Sequence, residues 1–150
     1  MNIEKINIWL GLVANVSVIA GIALLAVELN QNSDMMAAQT RNEITQQIIG
    51  IMEQQGEPSY SEALLLLEAG ETLSPEQSRI LGSVISQTLR HWENVYFQYE
   101  RGLFSEDEFA GLRAYIKDSI EGPLVQELWQ MQKQYYSQAF QEFITSLTEI

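Results

Sequence analysis

Twenty consecutive residues, Ile8 to Val27 (IWLGLVANVSVIAGIALLAV), carry no charged side chain. As a helix rising about 1.5 Å per residue, such a run matches the ~30 Å hydrocarbon core of a bilayer. This constrains the chain more than any other feature, because it selects the solvent for its first fifth. A helix apolar on every side must be covered all round, by lipid or by protein. The run reads as an uncleaved anchor rather than a secretory signal. Its N-terminal flank holds one Lys (Lys5) against one Glu (Glu4), and its apolar core is longer than a signal needs. The best small-x-small cleavage position, Gly21-Ile22-Ala23, lies inside the run rather than after it. A core helix of a soluble protein is the weaker alternative.

One side of this helix is small or polar. Gly11, Ala14, Asn15, Ser17, Val18 and Gly21 fall within a broad arc at 100° per residue, and Ser17-x-x-x-Gly21 is a small-xxx-small pair. Faces of this kind let helix backbones approach closely, and a membrane Asn can bond across to a neighbour. Gly11, Ala14, Asn15, Ser17 and Gly21 are therefore the expected helix-packing residues, and a homo-oligomer or a membrane-complex partner is the expected occupant. Trp9 stands where an interfacial aromatic would stand. Lys5 and the amino terminus favour the cytoplasm for the N-terminal end, with Arg41 the first basic residue behind the span. This predicts a single-pass protein whose remaining chain lies outside.

That division gives residues 1–32 as anchor and 33–150 as a helical domain. From Ser33 onward there are 7 basic and 18 acidic residues, within a net charge of −12 for the chain. Nucleic-acid phosphate and anionic headgroups repel such a surface, so no nucleic-acid partner is expected. The plain reading of the charge is solubility; a docking face for a basic partner is the sharper one. Cysteine is absent, which removes disulfides, thiol nucleophiles and thiolate metal sites.

The remaining chain reads as helices separated by caps, with no period-2 alternation and hence no sheet. Met36, Thr40, Ile44, Ile48, Ile51 and Met52 follow a 3–4 spacing that Gly56 and Pro58 end, and Asn30 to Ser33 is either a rim or helix continuing out of the span. Ser59-Tyr60-Ser61-Glu62 has capping-box spacing before a short apolar helix that Gly70 stops. Ser74-Pro75-Glu76-Gln77 opens a long helix to about Arg101, and Ser105-Glu106-Asp107-Glu108 opens another, with Phe109, Leu112, Tyr115 and Ile116 inward. Gly122-Pro123 breaks it, and a last stretch is expected to bend near Ser137. The fold class is all-α: an N-terminal single-pass transmembrane helix followed by a small antiparallel helical bundle.

Chemistry is sparse. One histidine, His91, excludes a pair of Glu-x-x-His di-iron motifs, and no Gly-x-Ser-x-Gly elbow or Gly-rich phosphate loop is present. His91 reads as a partly exposed helix residue. Glu106, Asp107 and Glu108 suit the first turn of a helix electrostatically and read as a cap. No catalytic residue, metal site or cofactor is therefore expected, and the chain does not read as an enzyme. The informative cluster is Arg90 to Tyr99 (RHWENVYFQY). Arg90 and Glu93 are i,i+3 neighbours, and Trp92, Tyr96 and Tyr99 share a side. Arg90, Trp92, Glu93, Asn94, Tyr96, Gln98, Tyr99 and Trp129 are the candidate network: a core seam with polar links between helices, or a pocket or docking face.

These motifs carry a resemblance. Ala26-Val27-Glu28-Leu29-Asn30-Gln31-Asn32-Ser33 closes the span, Arg90 to Tyr99 is followed by Gly102-Leu103, and Trp129 precedes Phe140-Gln141-Glu142-Phe143. Together they resemble a group of uncharacterised bacterial proteins with one N-terminal membrane helix and a small helical domain. The resemblance implies that architecture and a bacterial inner membrane, and it implies no activity; the expectation of a periplasmic helical domain rests on Lys5 and the amino terminus instead. The expected function is thus a membrane-anchored interaction or scaffold module that self-associates through its span and aromatic-rich helices; a periplasmic ligand-binding or sensing bundle and an accessory subunit are the alternatives.

Overall fold

The computed structural model describes residues 3–148 and is all-α: 89% helical, without strands among the described residues. The chain divides into two compact units between Asn42 and Glu43. Helix α1, Ile3–Gly56, passes through both. The polar stretch Asn30 to Ser33 is thus helix continuing out of the apolar run.

In the first unit, α1 is long and apolar enough to cross a membrane, and none of its most apolar window is buried. Twelve large apolar side chains between Ile8 and Val27, from Ile8 and Trp9 to Leu25 and Val27, each stand more than half exposed. At about 1.5–3 kcal/mol per side chain fully removed from water, this surface forgoes on the order of 10–20 kcal/mol. That equals the whole stability of an ordinary domain, about 5–15 kcal/mol.

The second unit holds residues 43–56 of α1 and five further helices: α2 (Pro58–Glu68), α3 (Pro75–Glu100), α4 (Glu106–Ile120), α5 (Pro123–Gln132) and α6 (Gln138–Thr148). A 3₁₀ turn, Lys133–Tyr135, joins the last two. The bend expected near Ser137 is therefore a full break. Helix starts follow the capping chemistry. Ser74 Oγ accepts from the Gln77 N–H at 3.2 Å while Gln77 Oε1 accepts from the Ser74 N–H at 2.9 Å. Ser105 and Glu108 repeat this arrangement at the head of α4. Helix α2 departs from expectation: Glu57, not Ser59, is its N-cap, because Pro58 already has the φ of a first turn. Gly70 and Gly102 end α2 and α3 at φ +74° and +79°. In both cases the next residue donates back five positions, Glu71 to the Leu66 carbonyl and Leu103 to that of Gln98, each at 2.9 Å.

Helix α3 is the central element, touching α2, α4, α5 and α6. Its buried residues Ile85, Leu89 and Trp92 face a core that also takes Ile116 and Ile120 of α4, Trp129 of α5, and Phe140 and Ile144 of α6. A smaller cluster joins Ile44 of α1, Val95 of α3 and Phe109 of α4. Tyr115, expected inward, lies instead at the surface at 52% exposure. His91 errs in the opposite direction, buried at 7% exposure rather than partly exposed. The α3 stripe is widened to an arc of about 160°, because the 43–56 segment of α1 covers the flank that carries His91.

Candidate functional site

The Arg90–Tyr99 segment lies in the second half of α3, where its side chains part in three directions. Arg90 and Glu93 clamp the chain break before α6. Arg90 Nη1 donates to Glu93 Oε2 at 2.7 Å, Nη2 donates to the Tyr135 carbonyl at 2.8 Å, and the guanidinium lies 4.0 Å from the centre of the Tyr136 ring. Glu93 Oε1 accepts from the Ser137 N–H at 2.7 Å, one of the free donors at the start of α6. The ion pair alone is worth little, since Arg90 is half exposed; the carboxylate-to-backbone bond is the stronger link. Burial pushes the Tyr136 hydroxyl pKa upward, so the ring stays neutral beneath the cation.

Tyr96 and Tyr99 go to the seam between α3, α4 and α6. Tyr96 stacks on Phe143 at 4.5 Å and Tyr99 on Phe109 at 4.1 Å. The Tyr99 hydroxyl donates to Glu106, which also pairs with Arg113 at 2.8 Å. That bond raises the Tyr99 pKa, while the Arg113 hydrogen bond, and then Tyr99, lower that of Glu106. Trp129 is buried against Tyr136 and Phe140, at 5.2 and 5.8 Å. Gln98 is half-buried, and its carbonyl closes the C-terminus of α3.

Two grooves remain. One, about 690 Å³, separates α3 from the 43–56 segment of α1. Its lining is rich in carboxamides: Gln54 and Gln87 exchange hydrogen bonds at 2.9 Å, and Asn94 Nδ2 donates to Gln47 Oε1 at 3.3 Å. His91 lines it too, with Nδ1 buried and unbonded, and burial lowers its pKa. The second groove, about 600 Å³, lies among α2, α3, α4 and α5 and is mostly apolar. Trp92 lines it, edge-on to Tyr115 at 6.1 Å between centroids. Tyr96, Tyr99 and Trp129 do not, so the aromatics expected around one pocket divide between seam, core and groove.

The sequence reading missed most of this groove's wall. Tyr60, Leu64 and Leu67 come from α2, and Tyr115 and Leu124 from helices far along the chain. Only the very apolar run of α2, too rich in Leu for a single buried stripe, hinted at a second apolar face. It also missed the glutamine pairing, although Gln47 and Gln54 are two turns apart on one face of α1.

In the first unit, Ala14, Asn15 and Ser17 are exposed, and a Cβ placed on Gly11 or Gly21 would meet nothing within 4 Å. Ser17 Oγ donates to the Val13 carbonyl at 2.8 Å, which leaves its lone pairs on the helix surface. Comparison with models of protein families, with curated proteins and with solved structures found no match. The resemblance carried by the Arg90–Tyr99 segment therefore rests on those motifs alone.

Proposed function

We propose that the protein is a membrane-anchored helical interaction module: a single span in a bacterial inner membrane carrying an acidic, antiparallel helical bundle on the periplasmic side. Its role is association rather than catalysis, with a second copy as the first partner and a larger membrane complex as the alternative. The observation that carries this reading is the apolar run Ile8 to Val27, none of whose most apolar window is buried and whose surface requires a lipid or protein covering. The arc of Gly11, Ala14, Asn15, Ser17 and Gly21 supports self-association, because nothing obstructs close approach over either glycine. An Asn15 side chain bonded across two spans contributes about 0.6–2 kcal/mol.

Native mass spectrometry of the full chain released from lipid nanodiscs tests the proposal. A defined multiple of 17.1 kDa is expected, with Asn15→Leu shifting the population toward single chains. Single chains alone, unaltered by the substitution, would remove self-association from the proposal. The groove beside Trp92 favours a second reading, a small-ligand-binding or sensing bundle on the same anchor.

A further inference from the structure

Every joint between the helices of the second unit holds a glycine except the last. Gly56, Gly70, Gly102 and Gly122 stand at the first four, and Pro58, Pro75 and Pro123 open three of the helices that follow. From Leu124 to Thr148, across the joint of α5 and α6, the chain has neither Gly nor Pro. Only Tyr136 and Ser137 leave helical geometry there, Tyr136 being extended at φ −104° and ψ 158°. The local signal for a stop is slight: Ser137 Oγ accepts from the Phe140 N–H at 3.4 Å. Distant groups supply the rest. Arg90 Nη2 donates to the Tyr135 carbonyl, Glu93 Oε1 accepts from the Ser137 N–H, and Tyr136 is buried.

The inward residues on the two sides of this joint are also in phase. Trp129, Tyr136, Phe140, Phe143 and Leu147 are buried or half-buried. On one uninterrupted helix at about 100° per residue they fall within an arc of about 60°. Residues 123–148 therefore specify two structures, a pair of helices folded back on α3 and a single amphipathic helix.

We infer that α5 and α6 also join as that single helix, and that two copies of this chain exchange α6 through it. In the joined form the Ser137 N–H bonds back along the helix, and Phe140 and Ile144 leave their own core. The surface vacated on α3 and α4 receives α6 of the second copy. Its fit is assured, because the incoming helix has the sequence that this surface already holds. The exchange rests on the self-association reading and adds a contact in the bundle to the packing in the span.

The chain has no cysteine, so Gln126→Cys with Thr145→Cys gives the full chain in liposomes two nitroxide labels and no others. Both positions are exposed and line one cleft in the broken form. On the joined helix their backbones stand on the order of 29 Å apart, at about 1.5 Å per residue. Labelled chain diluted into an excess of unlabelled chain reports the distance within one chain by double electron–electron resonance. The short distance is expected to dominate at low protein-to-lipid ratio, and a second population near the joined-helix distance to grow as the ratio rises. Glu93→Gln should enlarge that population about fivefold, since it weakens a charge-assisted bond made only in the broken form. Ser137→Pro removes the same bond but forbids a continuous helix, so it should abolish the long distance.

A long distance absent from the wild type and Glu93→Gln, while native mass spectrometry still shows multiple chains, would overturn the exchange and leave association through the span. A long population insensitive to protein density would overturn exchange between copies. The same population retained in Ser137→Pro would overturn the joined helix. Single chains with only the short distance would remove the inference and self-association together.

Discussion

His91 and Glu93 stand two positions apart on one helix and place opposite demands on their surroundings. His91 is buried beside the α1 flank with its pKa lowered by desolvation, so the folded chain favours the neutral ring. An unfolded imidazole takes a proton below about pH 6.5. The unfolded state therefore binds more protons below that pH, and stability falls as pH drops through the unfolded value towards the lowered folded one. Between pH 7.5 and 5.5 the melting temperature of the wild type should fall, and His91→Gln should flatten that part of the profile. An unchanged slope in a thermal-melt series would refute the assignment. Glu93 accepts from both Arg90 and the Ser137 N–H. Glu93→Gln should cost about 1–2 kcal/mol in chemical denaturation, and Arg90→Ala about 1 kcal/mol or less, since its partner is bonded elsewhere.

Helix boundaries are decided by local chemistry, and glycine provides a test with two signs. At Gly102, φ +79° terminates α3 through the reversed bonds of Tyr99 and Gln98, so a Cβ there is strained whatever the space around it. Gly102→Ala should destabilise by about 1–2 kcal/mol. Gly111 sits inside α4 with nothing within 4 Å of a built Cβ. Gly111→Ala should stabilise by about 0.5–1 kcal/mol, because alanine loses less backbone freedom on becoming helical. Denaturation midpoints moving the same way for both would contradict this account. The caps at Ser74 and Ser105 were readable beforehand because a capping box needs two side chains three positions apart and nothing distant. The start of α2 was misplaced for a related reason: two local signals overlap there, and the proline outweighs the serine.

The two units make different claims on solvent. Residues 43–148 enclose their own core, while the apolar run of α1 encloses nothing. If that run is the membrane anchor, the full chain should remain in the membrane fraction through alkaline carbonate extraction. A chain starting at residue 33 retains Ile44, Ile51 and every helix from α2 to α6. It should appear in the soluble fraction with a helical circular-dichroism spectrum and cooperative melting. A full chain extracted by carbonate would place the apolar run against protein instead of lipid.

Composition and period alone determined that this chain is helical, where most of its helices stop, and that its first segment is suited to a membrane. Those properties depend on neighbours within about a turn, or on the plain count of apolar residues. The edge-on contact of Trp92 with Tyr115, the burial of His91 and the clamp on Ser137 depend on which helix covers which flank of α3. The broken last stretch brings the Ser137 N–H to Glu93, 44 residues earlier in the chain. Such contacts join positions with no shared local pattern, so only the tertiary structure decided them. The Arg90–Tyr99 segment looked like one site because its residues are adjacent in sequence. A helix turns about 100° per residue, and that rotation sends them to three separate places.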